Sequence, residues 1–360
     1  MKLSIIVPVY NMAAEDKLIH CLDSLVSQTI LDTATENSED KNGSNVDESS
    51  ASFEIIAVDD CSTDNSLEIL KEYEAKYPDI FHAVHSEKNL HQGGAKNIGI
   101  RMAKGEWIGF IDADDWITPD MYEKLIRKAE ETGADCVGCD YSLVDHYTFE
   151  VGQIEANSED NQTGVLGDDQ KKSMILDSGS LVVKIYKRSM IIENELFFPE
   201  NIFYEDNAMS NSYLLLNKHY EYIKEPMYYY YQHNTSTVHT ITTVRCEDRM
   251  EAGRVMISEA KRHGFYEKYK EEIEYKFTLL FYINTLFSYM PGVKHTSLRF
   301  VKKMGREMKE YFPSFELNPY YIERTHPEEK KLIHMQQKNT LMFVLYYKLL
   351  WFYRKKIRKV

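Results

Sequence analysis

Near-continuous apolar segments alternate with amphipathic ones along the first part of the chain. The apolar segments are typical of strands buried on both faces of a sheet, and they are Leu3–Val9, Phe53–Val58, Phe81–His85, Trp107–Ile111 and Ala134–Tyr141. Apolar spacings of three and four residues and turn signals predict helices between them, over Leu18–Val26, Ser66–Tyr77, Gly94–Ala103 and Pro119–Thr132. Strands that alternate with helices through short loops predict an α/β fold built on a parallel sheet.

Two polar stretches and a helical second half complete the pattern. Residues 32–52 hold six acidic residues and one lysine, which predicts an acidic, flexible insertion. Residues 150–172 predict a second solvated loop. After residue 173 the pattern becomes helical. We therefore predict an α/β domain over residues 1–240 and a mainly helical C-terminal region over residues 241–360.

Charge is distributed unevenly along the chain. The 360 residues carry a net charge of −14, yet residues 330–360 contain nine basic side chains and no acidic one, which leaves −23 for the rest. Nucleic-acid binders rely on basic side chains that neutralise phosphates, so this balance argues against nucleic acid as a partner. The hydrophobic share of 43% is ordinary for a globular protein.

The cysteines and the apolar stretches indicate in which cellular compartment the protein is expected. Five cysteines, an odd number, do not indicate a disulfide framework. Cys136 and Cys139 lack the second pair that zinc would need, so we interpret them as small apolar side chains of a buried strand. Leu341–Tyr353 is shorter than the roughly 20 residues of a spanning helix. Leu3–Tyr10 is interrupted by Pro8 and makes a poor signal-peptide core. We therefore expect a cytoplasmic protein.

Acidic residues follow two of the predicted strands at the point where each strand ends. Asp59 and Asp60 come after the second strand, and Asp112, Asp114 and Asp115 come after the fourth. Ligands bind at the carboxyl ends of strands in open parallel sheets, so these acids are expected at one edge. Crowded carboxylates are stabilised by a divalent cation, and Mg²⁺ and Mn²⁺ favour oxygen ligands completed by substrate phosphates. Alternatively, single acids serve turns or helix caps, above all Asp115.

Five ordered motifs resemble one known family. They are LSIIVPVYN (3–11), LDSLVSQT (22–29), FEIIAVDDCSTDNS (53–66), GGAKNIGIRMAKGEWIGFIDADDW (93–116) and the segment Tyr204–Asp206. Together they resemble the inverting glycosyltransferases of family 2, of the bacterial polysaccharide and capsule-biosynthesis type. The resemblance implies the GT-A (Rossmann-like) fold of nucleotide-diphospho-sugar transferases, with a mainly helical C-terminal extension.

The resemblance implies a nucleotide-binding role for residues near the strand ends. Pro8 and Tyr10 fall where relatives line the nucleoside pocket. Asp60, with Asp59 beside it, falls where relatives hydrogen-bond the uracil. Lys96 stands where relatives carry arginine, so it keeps the positive charge of a donor contact but lacks the guanidinium fork.

The resemblance also implies a metal site and a general base. Asp112-Ala113-Asp114 matches the family's Asp-x-Asp motif, with Asp112 directed toward the sugar nucleotide and Asp114 a direct ligand of Mg²⁺ or Mn²⁺. Asp206 occupies the position of the family's catalytic base. The alternative is that Glu205 and Asp206 cap the helix that follows them.

A tyrosine stands where many relatives carry a phosphate-binding arginine. This residue is Tyr231, and the resemblance leaves His233 or His239 to take over the contact with the donor phosphates. The alternative is that these residues belong to the rim or the core.

The implied roles combine into one reaction. We expect an inverting transferase that moves a hexose or N-acetylhexosamine from a UDP-sugar to a saccharide or lipid-linked glycan acceptor. A metal stabilises the departing nucleoside diphosphate, and a separate carboxylate deprotonates the attacking hydroxyl, which contributes roughly 10²–10⁴-fold. The alternative is a non-catalytic glycan-assembly or glycan-binding protein on the same fold. A dinucleotide-dependent oxidoreductase is not expected, because no G-x-G-x-x-G follows the first strand.

The C-terminal segment 340–360 joins apolar and aromatic residues to a basic terminus. A basic, aromatic-rich helix can lie in an anionic membrane interface, which would hold the protein peripherally on the inner face of the membrane. It can equally pack on the protein, with its basic residues near the negative C-terminal end of the helix. The sequence favours neither alternative and leaves the oligomeric state unspecified.

Overall fold

The computed structural model describes residues 1–31, 53–232 and 240–355. The described residues fall into two compact units, one within the bounds Met1–Asn201 and Ser210–His233, the other within Ile202–Met209 and Asn234–Val360. The predicted insertion at residues 32–52 and the candidate phosphate contacts His233 and His239 lie outside the described residues. The domain boundary placed after residue 240 stays a prediction.

One sheet of ten strands, counted over the described residues, forms the centre of the first unit. The strands are β1 (Leu3–Val9), β2 (Phe53–Asp59), β3 (Phe81–His85), β4 (Trp107–Phe110), β5 (Trp116–Ile117), β6 (Cys136–Val144), β7 (Gln153–Glu155), β8 (Gly164–Val165), β9 (Lys184–Lys187) and β10 (His219–Tyr231). Their order is β3-β2-β1-β4-β9-β6-β10-β5, with β7 beside β6 and β8 beside β10.

The sheet is mixed, so the prediction of a parallel sheet is wrong for part of it. Strands β3, β2, β1 and β4 are parallel, and β6 is parallel to β10. Strand β9 runs antiparallel to both β4 and β6, and β5 runs antiparallel to β10. Strand β9 is only four residues long and includes two lysines, so its apolar signal is weak.

Helices pack beside the sheet of the first unit. They are α1 (Lys17–Val26), α2 (Ser66–Lys76), α3 (His91–Met102), α4 (Met121–Thr132), α5 (Asp168–Leu176) and α6 (Arg188–Glu193); α7 (Glu205–Leu215) includes residues of both units. Every residue of β1 and β2 is buried, as their continuous apolar patterns predict. A Cβ at Gly99 of α3 would lie 2.5 Å from Ile6 Cγ2, so glycine permits α3 to approach β1 closely.

The segment after β6 is more ordered than its polar composition predicts. Residues 150–172 were expected to form a solvated loop, but they contain β7, β8 and the start of α5. The N–H of Gly152 donates to Ser142 Oγ at 2.7 Å, and the N–H of Asn157 donates to Asp140 Oδ1 at 3.1 Å. Polar side chains of β6 therefore hold this segment, which hydrophobic periodicity does not detect.

The second unit is helical over its described residues, as predicted for the C-terminal region. Its helices are α8 (Thr243–Arg262), α9 (Lys270–Phe277), α10 (Asn284–Gly292), α11 (Leu298–Tyr311), α12 (Pro319–Arg324), α13 (Pro327–Lys338) and α14 (Thr340–Tyr353), and a π-helical segment (Thr278–Ile283) joins α9 to α10. Aromatic side chains fill its core, including Phe277, Phe281, Tyr282 and Tyr289. Across the described helices, none combines the length and the apolarity that crossing a membrane requires.

Candidate active site

The carboxyl ends of β2, β1 and β4 lie side by side at one edge of the sheet. These three strands are adjacent and parallel, so the residues that follow them meet there. The N–H of Asp60 donates to Val9 O at 2.8 Å, which continues the pairing beyond β2. Pro8 is buried within β1, whereas the Tyr10 side chain just after it is 45% exposed. Tyr10 is thus the more accessible of the two predicted nucleoside contacts.

Hydrogen bonds join the loop after β1 to the loop after β2. The N–H of Asn11 donates to Ser62 Oγ at 3.0 Å, and Asn11 Oδ1 accepts from the N–H of Thr63 at 2.8 Å. Asn11 has a φ of 53°, a left-handed conformation that asparagine tolerates better than most residues. The two loops are therefore held together as one polar surface.

Asp64 is a second connection between these loops and the start of α2. Its carboxylate accepts from the N–H of Ala13 at 3.0 Å and from the N–H of Ser66 at 3.0 Å. Partial burial acts to raise the pKa of Asp64, but the hydrogen bonds from Ser66 and Ala13 outweigh it and hold the pKa below its usual value. The carboxylate is thus stabilised in its charged form.

The two adjacent acids at the end of β2 have different partners. Asp59 is fully buried, and its carboxylate contacts His85 Nδ1 at 2.7 Å and accepts from the N–H of Ser62 at 3.3 Å. Asp60 Oδ1 accepts from the N–H of Leu90 at 2.7 Å. Burial raises the pKa of Asp60, and the hydrogen bond from Leu90 opposes that shift. The roles of both acids in uracil binding stay predictions.

The first turn of α3 connects the acid after β2 to the acids after β4. Leu90, the residue before the helix, donates its N–H to Asp60, and Gln92 Nε2 donates to Asp112 Oδ1 at 3.5 Å. The N-terminus of a helix carries partial positive charge and free N–H groups, which favours anions such as phosphates. A Cβ at Gly94 would lie 2.2 Å from Leu90 Cβ, so glycine is required for this tight entry into the helix.

Lys96 lies inside the unit rather than on an open surface. It is buried on α3, and its Nζ lies 5.2 Å from the centroid of the Phe198 ring. The next residue, Asn97, holds the same segment: its Nδ2 donates to Phe198 O at 2.9 Å and its Oδ1 accepts from the N–H of Phe198 at 2.8 Å. A contact of Lys96 with the donor stays a prediction.

The turn from Asp112 to Asp115 presents two carboxylates and buries a third. Asp112 and Asp114 are partly exposed, whereas Ala113 and Asp115 are buried. The turn is closed by a hydrogen bond of 3.1 Å from the N–H of Asp115 to Asp112 O. Burial raises the pKa of the Asp115 carboxyl well above its usual value, and the charges of Asp114 and Asp112 raise it further.

Asp115 does not cap the helix that follows, contrary to the alternative considered for it. Its Oδ2 accepts from the Tyr228 hydroxyl at 2.5 Å, and its Oδ1 accepts from the N–H of Tyr231 at 2.9 Å. The Tyr228 hydroxyl in turn accepts from the N–H of Asp112 at 3.3 Å. Asp115 and Tyr228 therefore fasten the acidic turn to β10. Sequence reasoning missed Tyr228, because nothing distinguishes it within a run of four tyrosines.

The acidic turn fits a divalent cation that shares its ligands with a substrate. Over the described residues, no group of three or more His, Cys, Asp or Glu side chains is arranged to hold a metal. Asp112 and Asp114 offer two carboxylates, and Mg²⁺ and Mn²⁺ are commonly bound by one or two carboxylates plus phosphates and water. Burial first and the charges of Asp114 and Asp112 second raise the pKa of Asp115, and a bound cation would offset the contribution of those charges.

The predicted base belongs to the second unit. Asp206 lies in the first turn of α7, where its carboxylate is exposed and Oδ1 accepts from Asn207 Nδ2 at 2.9 Å. Glu205 beside it is buried. The preceding Tyr204 has a φ of 67°, and its hydroxyl accepts from Arg249 Nη2 at 2.7 Å. Glu205 and Asp206 are both helical residues rather than an N-cap, and only Asp206 faces solvent.

Two of the five cysteines lie in the central sheet. All five are free, and Cys136 and Cys139 are buried in β6. Burial raises the pKa of both thiols, so they remain protonated and apolar in character.

Comparison with known proteins identifies relatives that are named as glycosyltransferases. The profile of the family "Glycosyl transferase family 2" matches residues 4–182. The chain is 32% identical to the putative glycosyltransferase EpsH of Bacillus subtilis over 282 residues, which cover 75% of this chain and 72% of that protein. It is 31% identical to the uncharacterized glycosyltransferase YibD of Escherichia coli K12 over 239 residues, and this match covers 65% of the chain and 62% of the length of YibD.

A solved structure supports the fold. The crystal structure of Staphylococcus aureus TarS 1-349, in complex with UDP-GlcNAc, matches with a TM-score of 0.62 at 19% identity and covers 94% of this chain and 92% of that one. The identity is low, so this likeness concerns the fold alone. With the relatives and the family profile, it confirms the GT-A expectation. The chain therefore belongs to glycosyl transferase family 2, has the GT-A fold of that family and resembles its members of the bacterial polysaccharide type.

Proposed function

We propose that this protein is an inverting glycosyltransferase that transfers a hexose or N-acetylhexosamine from a UDP-sugar. The observation that carries the proposal is the meeting of Asp60, the first turn of α3 and the Asp112–Asp115 turn at one edge of the sheet. A nucleoside diphosphate requires three kinds of contact, and this edge offers each of them. A carboxylate can bind the nucleobase, a helix N-terminus can bind the phosphates, and two carboxylates can bind a metal ion. UDP-GlcNAc is the first donor to test, because the TarS structure contains it.

We propose that Asp112 and Asp114 hold Mg²⁺ or Mn²⁺ together with the diphosphate. When bound, the metal would neutralise negative charge on the leaving group. Asp115 and Tyr228 fasten the turn to β10, which keeps the partly exposed carboxylates of Asp112 and Asp114 at the same edge of the sheet. The nucleoside would be bound and oriented by Pro8, Tyr10, Asp60 and the adjacent Asp59. Lys96 and His233 complete the proposed donor site.

The proposed base is Asp206, which takes the proton from the acceptor hydroxyl as that oxygen attacks the anomeric carbon. A carboxylate that already binds a metal is a poor base, so the base should be a different acid. Asp206 meets this requirement because it is exposed and lies far along the chain from Asp114. Direct attack from the side opposite the leaving diphosphate inverts the configuration at that carbon. The acceptor is proposed to be a saccharide or a lipid-linked glycan.

The proposed location follows from the two substrates. A nucleotide sugar places the enzyme in the cytoplasm, and a lipid-linked acceptor would bring it to the inner face of the membrane. We propose that residues 340–360 make this contact peripherally. Helix α14 is compatible with both alternatives considered for this segment, because one side of it packs on the second unit and the other side is exposed.

Substitutions of the metal ligand and of the base test the proposed reaction. Asp114→Ala and Asp206→Asn should each lower UDP-GlcNAc turnover by at least about 10²-fold, measured as released UDP with Mn²⁺ present. Asp114→Ala should also abolish the Mn²⁺-dependent rise in melting temperature with UDP, whereas Asp206→Asn should keep it. Asp169→Asn, which changes an exposed acid in the first turn of α5, is the matched control and should retain activity.

Two outcomes would decide against the proposal. Turnover that survives both Asp114→Ala and Asp206→Asn would refute the assigned roles. Metal-dependent UDP binding without transfer to any saccharide tested would favour the non-catalytic alternative, a glycan-assembly or glycan-binding protein on a glycosyltransferase fold. A panel of UDP-sugars in the same melting assay would identify the donor.

A further inference from the structure

Helix α14 is apolar apart from Thr340 and the exposed Lys348, although only one side of it is covered. Phe343, Val344 and Tyr347 are buried. The opposite side forms a stripe of exposed apolar residues that repeats every three or four positions: Leu341, Met342, Leu345, Tyr346, Leu349, Phe352 and Tyr353. A helix that is apolar all round is normally buried all round. Leu349, at the centre of the stripe, is 69% exposed, so the stripe requires an apolar environment that its own unit does not supply.

The helix is fixed to its unit, so the stripe faces outward as a stable surface. Asn339 Oδ1 accepts from the N–H of Met342 at 3.0 Å and caps the start of α14. At the other end, Arg354 Nη2 contacts both carboxylate oxygens of Glu328 at 2.6 and 2.7 Å. Fourteen helical residues span about 21 Å. The stripe is therefore a rod-like apolar surface on a capped helix whose C-terminal end is tied to Glu328 of α13.

A basic pocket opens at the N-terminal end of the stripe. It has a volume of about 490 Å³, and its ten lining residues include Lys302, Arg306 and Lys338 but no acidic residue. Arg306 is paired with Glu307 at 3.6 Å and with Glu310 at 3.4 Å, whereas no ion pair of Lys302 or Lys338 is found among the described residues. Leu341, the first residue of the stripe, belongs to the same lining. Basic charge and apolar surface thus adjoin at one place.

The floor of the pocket is a fixed hydrogen-bonded layer. Gln336 Nε2 donates to Val301 O at 2.8 Å, and Gln337 Nε2 donates to Gly305 O at 3.2 Å. A Cβ at residue 305 would lie 2.4 Å from Gln336 Oε1, so glycine permits this close approach. The pocket is therefore an open groove with an ordered polar floor, and a phosphate group would meet cationic side chains at its rim.

We propose that α14 docks on a bilayer that contains anionic phospholipids, with the stripe in the interface and the phosphate of one lipid headgroup in the basic pocket. This inference rests on the peripheral position within the proposed function, but not on the glycosyl transfer itself. The pocket lies at one end of the stripe, and exposed Lys355 lies at the other. A helix with apolar residues along its length and basic residues at both ends suits an in-plane position on an anionic surface.

Charge favours a bilayer over a second copy of the chain. Residues 330–360 carry nine basic residues and no acidic one. Two copies that paired through their stripes would bring basic ends together in either orientation, and like charges at an interface oppose association. An anionic bilayer attracts the same charges, by about 1 kcal/mol for each basic residue near its surface. Tyr346, Trp351 and Tyr353 on the exposed part of α14 are residue types enriched at membrane interfaces.

Vesicle co-sedimentation of the full chain tests both parts of the proposal. The protein should sediment with vesicles of phosphatidylcholine and phosphatidylglycerol and should bind pure phosphatidylcholine at least about 10-fold more weakly. Leu345→Glu with Leu349→Glu tests the stripe, and Lys302→Glu with Lys338→Glu tests the pocket. Each pair should lower binding to the anionic vesicles by at least about 10-fold. Lys71→Glu with Lys218→Glu makes the same change of charge at exposed positions of the first unit and should leave binding nearly unchanged.

Other measurements separate this inference from its rivals. Circular dichroism and the melting temperature should be the same for all variants, and release of UDP from UDP-GlcNAc without vesicles should be unchanged. Vesicle binding that is equal in the wild type and both test variants would overturn the proposal. A light-scattering mass that drops from dimer to monomer in the stripe variant, without a change in vesicle binding, would assign the stripe to a second copy instead. Vesicle binding by a protein that transfers no sugar would refute the proposed function and leave this inference standing.

Discussion

Tyr228 connects the acidic turn to β10, and its replacement by phenylalanine tests whether this connection positions the turn. The Tyr228 hydroxyl donates to Asp115 Oδ2 at 2.5 Å and accepts from the N–H of Asp112 at 3.3 Å. In Tyr228→Phe the aromatic ring can keep its place in the core while both hydrogen bonds are lost. We expect a lower free energy of unfolding and a lower turnover number.

The magnitude follows from burial and from the two distances. Asp115 is 1% exposed, so water does not replace the lost donor. A buried acceptor left without its donor costs about 1–3 kcal/mol, and a neutral hydrogen bond contributes about 0.5–1.5 kcal/mol. The longer of the two bonds is weak, so the expected loss in unfolding free energy is about 2–3 kcal/mol. A shift of the turn by about 1 Å would lower kcat by about 10²-fold.

The neighbouring residue provides the matched control. Tyr229 is as deeply buried as Tyr228, but its hydroxyl donates to Phe149 O at 2.8 Å, away from the acidic turn. Tyr229→Phe should cost about 1 kcal/mol and leave kcat unchanged. Urea denaturation and steady-state release of UDP measure the two quantities. Equal losses of stability and activity in both variants would refute the positioning role of Tyr228.

Three further substitutions test other parts of the first unit. Burial lowers the pKa of Lys184 to about 8 from 10.5, so the folded protein binds fewer protons than the unfolded chain between those pH values. The unfolding free energy of the wild type, relative to that of Lys184→Met, should therefore rise by about 3 kcal/mol from pH 7.5 to 10.5 in urea titrations. A difference that does not change with pH would contradict the pKa shift. Gly99→Ala places a Cβ 2.5 Å from Ile6 Cγ2 and should cost about 1–3 kcal/mol, a loss that Ile6→Ala should partly relieve in a double-mutant cycle. Asn97→Ala leaves the N–H and C=O of Phe198 without partners and should lower the unfolding free energy by about 2–4 kcal/mol, whereas a loss below 1 kcal/mol would mean that water replaces both bonds.

The elements could be predicted where the chain carries a strong local pattern. Strands β1 and β3 begin and end at the predicted residues, because each is a short apolar run with clear boundaries. Helix α3 begins three residues earlier than predicted, at His91, because Gly93 and Gly94 weaken the helical signal. The order of the acids after the strands and the family motifs are together enough to predict the fold from the sequence.

The sequence predicted that the acids after β2 and β4 share one edge of the sheet, but not which partners each acid contacts. Asp112 and Asp114 are separated by one residue, so their proximity is a property of the chain itself. Asp115 shares that turn, yet its partners lie on β10, and the sequence favoured a helix cap for it. Asp59 and Asp60 are neighbours in sequence, but one contacts His85 and the other Leu90.

The sequence by itself determined the parallel strand–helix alternation of the first half, the acids at the strand ends and the basic, apolar character of the C-terminal helix. The tertiary structure alone decided that β9 runs antiparallel between β4 and β6, that Tyr228 holds the acidic turn, and which side of α14 stays exposed. The physical reason is the distance along the chain over which each interaction acts. Periodicity reports which face of an element is buried, whereas a hydrogen bond between residues 113 positions apart leaves no local pattern and depends on how the strands assemble.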